Sequence, residues 1–267
     1  GKTILHTGDF RAHGYTGHVL ERVLRYDVKQ VDILITEGTM LGRKNEVVLL
    51  EADIEKNVAE ALRKSKYVYA LCSSTDIDRI RALHNACKVT RRTFVCDSYQ
   101  YSVLDIFNKY TLLERYKFNR VFKLINYKTK NVYQKLSHTG FLVMVRPSSY
   151  NRIKWMMRTY NDQPSALIYS MWQGYHNGTQ EQINEDIVKI RQLFGGNIYD
   201  GTRDGFHTSG HASVETLQMV CRCVKPRLGI IPIHKEANTS FKNLPIADDY
   251  CIIESDVVID NINIRVQ

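Results

Sequence analysis

The sequence lacks the features that would assign it to a membrane, secreted or disulfide-rich class of protein. It has no run of about 18 apolar residues, so we expect no membrane-spanning helix. Its N-terminal residues have neither an extended apolar segment nor a small-residue cleavage site, so they predict no signal peptide. Its six cysteines form no CxxC pair. We interpret them as reduced packing residues of a cytoplasmic protein rather than as a disulfide or zinc framework.

Acidic residues are few relative to basic ones. The chain has 37 Lys and Arg residues against 28 Asp and Glu, and its net charge of +9 favours an anionic partner such as nucleic acid. The imbalance is strongest in residues 109–135, where Glu114 is the single acid among many basic and aromatic residues. Basic side chains can neutralise phosphates while exposed rings stack on bases. The alternative is a solvated basic face whose aromatic rings lie in the core.

Apolar runs typical of strands alternate with helical patterns along most of the chain. This alternation predicts an α/β fold with a largely parallel sheet. Because the sequence has no repeat, low-complexity tract or flexible linker, we expect any second domain to be inserted into the first. The predicted strands are residues 3–6, 31–35, 66–72, 93–97, 141–145, 166–170 and 228–231. The predicted helices are residues 48–64, 77–87, 150–160, 179–193 and 214–224.

Two residues at predicted strand ends have side chains suited to metal ligation. Asp9 follows Gly8, which permits a tight turn after the first strand, and a carboxylate there can bridge two cations. His234 follows a strand and Pro232, so its imidazole is held on rigid backbone. The alternatives are a turn that caps a helix for Asp9 and an ordinary surface histidine for His234.

His211 and Glu37 suit phosphate and proton chemistry. His211 precedes a helix predicted to begin near Ser213, and the N–H groups of a helix start attract phosphate. The hydroxyls of Ser209 and Ser213 could add donors, and His211 could protonate a leaving oxygen. Glu37 follows a strand and could accept the second N–H of a catalytic histidine. A capping loop for His211 and a surface carboxylate for Glu37 are the alternatives.

Several short segments carry a resemblance to one known family. Four of them are residues 7–11 (TGDFR), 36–39 (TEGT), 209–213 (SGHAS) and 232–236 (PIHKE), and three more are 73–80, 95–97 and 170–175. Together they resemble the β-CASP branch of the metallo-β-lactamase fold, which includes ribonuclease J and mRNA 3′-end processing endonucleases. The resemblance covers nearly the whole chain. It implies a partial αββα sandwich from residues 1–46 and 196–267, with an inserted α/β cap domain over 47–195.

Residue by residue, the resemblance implies a zinc-dependent phosphodiesterase site. Asp9 would bridge two zinc ions and His234 would ligate one of them. Glu37 would contact residues around the metal ions rather than the ions themselves, and His211 would lie near the scissile phosphate. A histidine at the position of His234 is typical of RNA-acting members, so the resemblance favours single-stranded RNA as the substrate. A metal-activated water would attack its phosphodiester. The residues implied to contact the substrate backbone are Ser73, Ser74, Ser209 and Ser213.

The histidine cluster that this family carries does not occur in the sequence. The HxHxDH motif should precede Asp9, yet only eight residues do, and the nine histidines contain no HxH pair. We therefore expect the chain to be a fragment that lacks most metal ligands and binds zinc poorly alone. A non-catalytic RNA-binding scaffold and a DNA nuclease are the alternatives, and a homo-oligomer is left open.

Overall fold

The computed structural model describes residues 1–43, 47–124, 130–254, 257–259 and 264–266. Residues 125–129 of the basic, aromatic stretch thus lie outside the described residues. The chain divides into two units, Gly1–Val48 with Ser209–Gln267, and Leu49–Thr208. The second unit is therefore an insertion along the chain. It ends later than residue 195, because a strand at 198–200 pairs with the strand at 165–169.

The helices and strands follow one another in chain order. The first unit begins with β1 (Ile4–His6), α1 (Leu20–Tyr26) and β2 (Ile33–Glu37). The second unit contains α2 (Glu51–Lys64), β3 (Tyr67–Leu71), α3 (Ile77–Thr90), β4 (Thr93–Cys96), α4 (Ser98–Tyr110), β5 (Val121–Lys123), α5 (Lys130–Thr139), β6 (Phe141–Val145), α6 (Tyr150–Thr159), β7 (Ser165–Tyr169), α7 (Gly174–Asn177), α8 (Glu185–Phe194), β8 (Ile198–Asp200) and α9 (Gly201–Asp204). The first unit resumes with α10 (Val214–Val224), β9 (Gly229–Ile233), β10 (Val257–Ile259) and β11 (Ile264–Val266).

Three parallel strands form the main sheet of the first unit, in the order β1-β2-β9. Ile33 pairs with Ile4 on one side and with Gly229 on the other, so the strands begin level with one another. Parallel strands end at a common edge of their sheet. The segments that follow β1, β2 and β9 therefore emerge side by side. β10 and β11 form a separate antiparallel pair.

Six parallel strands form the sheet of the second unit, in the order β5-β4-β6-β3-β7-β8. Every residue of β3 and β6 is buried, as expected for central strands covered on both faces. The predicted α/β class with parallel strands is confirmed. The patterns did not predict β5 and β8, because each has only three residues, mostly half-buried, and ends in a charged side chain. They also missed α4, which buries only Gln100 and Leu104 and so has a weak apolar face.

Side-chain caps determine where several helices begin. Asp76, Asp97, Asn184 and Ser213 each accept a hydrogen bond from a backbone N–H in the first turn of the helix that follows. The predicted helix at 179–193 was therefore wrong at its start, because α8 begins only after Asn184. The predicted bounds of α10 are confirmed.

The sequence predicts no membrane-spanning segment. Of the helices in the described part of the chain, none combines the length and the apolar composition that crossing a bilayer requires.

Each unit has its own hydrophobic core. In the first unit, α10 buries Leu217, Val220, Cys221 and Val224, whose spacing places them on one helix face. In the second, side chains of β3, β6 and β7 form the centre of the core. Burying one such aliphatic side chain contributes about 1.5–3 kcal/mol. Four of the six cysteines are also buried, in agreement with a packing role.

A buried ion pair fastens α2 to α3 in the second unit. Arg79 and Glu51 are 0% and 1% exposed. The Nε and Nη2 atoms of Arg79 each donate to a different carboxylate oxygen of Glu51, both at 2.9 Å. The Nη1 atom donates to the hydroxyl of Ser170, which donates in turn to the carbonyl of Phe206 at 2.5 Å. One guanidinium thus ties together four separate segments of the chain.

The two ends of the second unit are joined directly. The backbone N–H of Leu49 donates to the hydroxyl of Thr208 at 3.1 Å. Nearby, the side-chain amide of Asn57 donates to the carbonyl of Gly205 at 2.8 Å. The inserted chain therefore leaves its unit close to where it begins.

Replacing Arg79 by Met is expected to destabilise the second unit by about 3–5 kcal/mol, because it leaves the Glu51 carboxylate buried without a counter-charge. Urea unfolding followed by tryptophan fluorescence measures this, since both tryptophans, Trp155 and Trp172, lie in the second unit. The double variant Arg79→Met, Glu51→Leu is the matched control and should recover most of the loss. Equal stability of the single variant and the native chain would contradict the assignment.

Candidate metal centre

Three strand ends bring polar side chains to one edge of the β1-β2-β9 sheet. Asp9 lies three residues beyond β1, Glu37 is the last residue of β2, and His234 follows β9 directly. Because these strands are parallel and adjacent, their carboxyl ends meet at the same edge. The fourth side chain, His211, comes from the segment just before α10. The sequence therefore builds the site from four distant points of the chain.

A tight turn after β1 presents Asp9. Gly8 has a φ of +61°, a left-handed conformation that glycine adopts at little cost. Its N–H donates to His6 Nδ1 at 2.9 Å. The hydroxyl of Thr7 donates to Thr36 Oγ1 at 3.2 Å, which ties this turn to the end of β2. The Asp9 carboxylate is half exposed and open to a ligand.

The carboxylate of Glu37 is the buried centre of the cluster. Its side chain is fully buried, and His211 Nδ1 donates to its Oε2 at 2.8 Å. Its other oxygen accepts from the backbone N–H of Phe10 at 2.8 Å and of Ala212 at 3.3 Å. Three donors therefore satisfy an anion that would otherwise be costly to bury. The donation from Nδ1 leaves the Nε2 atom of His211 available to another group.

Electrostatics favour a charged pair between Glu37 and His211. Burial alone would raise the pKa of Glu37, yet hydrogen bonds from His211 and from the Phe10 N–H hold it below its ordinary value. The hydrogen bond to Glu37 raises the pKa of His211, although burial opposes this shift. The two shifts agree in sign, since each partner stabilises the charged form of the other.

His234 occupies an unusual backbone conformation. Its φ is +47°, in the left-handed region that residues other than Gly, Asn and Asp seldom adopt. Its Nδ1 donates to Asp9 Oδ1 at 2.8 Å, and its carbonyl accepts from the Thr39 hydroxyl at 3.0 Å. Its ring lies 5.2 Å from that of His211, centroid to centroid. Strained positions of this kind cluster at functional sites.

Asp9 and His234 supply two candidate metal ligands, and His211 could supply a third when its Nε2 carries no proton. One ligand atom from each lies within 4.8 Å of the others. Ligands about 2.0–2.1 Å from a tetrahedral zinc ion are about 3.3 Å apart, so the Asp9–His234 hydrogen bond would open by roughly 0.5 Å. Two imidazoles and one carboxylate suit Zn²⁺, and also Fe²⁺. Three donors fit one ion, and a second would need donors from other residues.

The four serines expected at a substrate have different surroundings. The Ser209 hydroxyl accepts from the N–H of His211 at 3.2 Å, and Ser213 caps α10 by accepting from the N–H of Thr216 at 3.2 Å. Both belong to the first unit. Ser73 and Ser74 belong to the second unit and follow β3. The structure thus links two of the four serines to the segment that carries His211.

One residue that supports the cluster was missed by the sequence reasoning. His13 is 6% exposed, and its Nε2 donates to the carbonyl of Ser209 at 2.6 Å. It therefore anchors the loop that carries His211 to the segment after β1. No local pattern marks this role, because the contact joins residues far apart in sequence.

Comparisons with known proteins identify no relative, since no protein-family model and no curated protein sequence matches the chain. The functional interpretation therefore depends on the residues and geometry described above.

Replacing Glu37 by Ala is expected to lower the stability of the first unit by about 3 kcal/mol, because it leaves two backbone N–H groups and the His211 ring without their acceptor. Glu37→Gln keeps one acceptor oxygen and should lose less than half as much. Urea unfolding by circular dichroism, with hydrogen exchange at Phe10 and Ala212, measures both. Asp9→Ala, at an exposed position, is the control and should change stability by less than about 1 kcal/mol. Equal effects of the Glu37 and Asp9 variants would contradict the central role of Glu37.

Proposed function

We propose that this chain is part of a zinc-dependent RNA-processing phosphodiesterase of the β-CASP metallo-β-lactamase type. The observation that carries the proposal is the meeting of Asp9, Glu37, His211 and His234 at one sheet edge. These are the four residues for which the sequence suggests metal or phosphate chemistry. The interruption of the first unit by an α/β insertion agrees with a core that carries a cap domain.

Each side chain has a chemical role that its surroundings allow. Asp9 and His234 are exposed and able to ligate an ion. Two zinc ions, when bound, would supply an activated water for in-line attack on phosphorus. His211, whose pKa is raised by its hydrogen bond to Glu37, could hold a proton for the leaving oxygen. Glu37 keeps that imidazole in one orientation.

RNA is the proposed substrate for two reasons. The net charge of +9 suits a polyanion, and His234 matches the RNA-acting members of the family that the motifs resemble. The remaining zinc ligands, the HxHxDH cluster among them, would come from another segment of the intact protein. Six free cysteines agree with a reducing, cytoplasmic setting.

In the intact protein, His234→Ala is expected to lower bound zinc by about one ion per site, because it removes a ligand. Elemental analysis after dialysis measures the stoichiometry. His138→Ala removes an exposed histidine in α5 and is the matched control. Unchanged zinc content in the His234 variant would refute this ligand assignment.

The proposed activity predicts metal-dependent cleavage of single-stranded RNA in preference to DNA of matched sequence. The intact protein is incubated with both labelled strands in competition, with and without a chelator, and products are resolved on a gel. Glu37→Gln should slow cleavage at least about tenfold, because His211 loses its charged partner. Equal cleavage of DNA would favour a DNA nuclease, and RNA binding without cleavage would favour the scaffold.

A further inference from the structure

An open cavity lies within the inserted unit. It has a volume of about 580 Å³ and is lined by the first residues of β4 and β5, Thr93 and Val121. The end of α3 and Lys135 of α5 complete its wall. Cavities of about 300–1,000 Å³ commonly hold small ligands or single groups of larger ones. It opens at the amino-terminal edge of the sheet, opposite the edge at which Asp97 follows β4.

Positive charge dominates this cavity. Among the described residues that line it, five are basic and none is acidic. The carboxyl end of α3 nearby has a partial charge of only about −0.5, so it offsets only a small part of this positive charge. The basic residues are Lys88, Arg91, Arg92, Arg120 and Lys135.

Most of these cations are not neutralised by the protein. Lys88, Arg91 and Arg120 are exposed, and none of them has an ion-pair partner in the described part of the chain. Arg92 is held in place, since its Nε donates to the carbonyl of Leu62 at 3.2 Å and its Nη1 to that of Thr139 at 2.9 Å. The carbonyls fix this guanidinium without cancelling its charge. The cavity is therefore pre-organised for an anion.

Two of the arginines occupy backbone positions that disfavour them. Arg91 and Arg120 have φ values of +59° and +60°, in the left-handed region where Gly or Asn is usual. Arginine at such a position costs on the order of 1 kcal/mol. Both strained arginines line the same cavity. Arg91 forms the C-cap of α3, a turn that Gly or Asn would make at lower cost. Local backbone stability therefore does not account for arginine at either position.

The floor of the cavity adds a ring and a buried histidine. Lys135 Nζ lies 4.8 Å from the centroid of the Phe122 ring. His84 is 2% exposed, and its Nε2 donates to the carbonyl of Asn119 at 2.7 Å. Among the described residues, its Nδ1 has no hydrogen-bond partner. Proteins that bind single-stranded nucleic acids combine aromatic rings with cationic side chains in this way.

We propose that this cavity binds phosphate groups of a single-stranded RNA backbone, as an anchoring site separate from the metal centre. Its charge and geometry favour an anionic group such as phosphate, and the choice of RNA rests on the proposed function. A concave site suits single nucleotides of a strand, because duplexes are contacted across extended grooves. The cavity needs no metal, so its binding can be measured with a chelator present.

The test compares two double variants of the chain. Arg91→Asn with Arg120→Asn removes two cations from the cavity, and asparagine adopts the left-handed backbone conformation more readily than arginine. Arg22→Gln with Arg158→Gln removes two exposed cations outside the cavity and is the matched control. Fluorescence anisotropy with a labelled 12-nucleotide RNA is measured over a range of salt concentrations in EDTA. Thermal unfolding by tryptophan fluorescence reports the stability of the second unit.

The cavity variant should bind RNA at least about tenfold more weakly at ~0.1 M salt, and its log–log salt slope should fall by about 1.4 for two lost phosphate contacts. Its unfolding temperature should stay equal or rise. The control variant should change binding less than threefold. Equal losses in both variants, or a mononucleotide or poly-glutamate that competes as well as RNA, would overturn the proposal.

Asp9→Ala with His234→Ala separates this site from the metal centre. That variant should keep full RNA binding in EDTA, whereas the proposed cleavage activity would be lost. A large loss of binding in this variant would show that the metal-centre residues themselves hold the RNA, and would also overturn the anchoring site. Failure of the cavity test alone would leave the phosphodiesterase proposal standing.

Discussion

The carboxylate of Glu37 is the contact on which the first unit's site depends. It is fully buried, and it accepts hydrogen bonds from the segment after β1 and from the segment before α10. An unpaired carboxylate at this depth would be neutral or would open the structure to water. The three hydrogen bonds lower the free-energy cost of burying the charge, and the charged carboxylate holds the three donors in place. The orientation of His211 is therefore a consequence of the fold, before any ligand is considered.

The second unit also contains a buried charged group that several segments of the chain contact. There the guanidinium of Arg79 holds Glu51 and reaches Ser170, so one buried charge again fixes several segments. The parallel sheets make both arrangements possible, because they bring the ends of distant strands to a common edge. In the first unit that edge carries a half-exposed Asp9 and His234, which a ligand can reach. In the second unit the network is closed to solvent and serves stability.

Much of the fold could be predicted from the sequence, and part of the site could not. Residues 141–145 and 214–224 have the predicted bounds, since an unbroken apolar run and a helical period are local signals. Asp9 and His234 were identifiable one by one from their places after strands. Their direct contact, and that of His211 with Glu37, join residues 225 and 174 positions apart, which no local pattern encodes. The left-handed backbone of Arg91 belongs to the C-cap of α3, whereas no local pattern marks that of His234.

The hydrogen bond between Leu49 and Thr208 has a consequence for the order of folding. The two halves of the first unit are separated by residues 49–208, and closing so long a loop in an unfolded chain costs about 4–5 kcal/mol of entropy. Once the inserted unit has folded, its two ends lie side by side, so the two halves of the first unit are no longer separated by a long unfolded loop. The first unit then assembles as if its halves were neighbours in sequence. Ribosomal synthesis favours the same order, because the last segment of the first unit emerges after the insertion is complete.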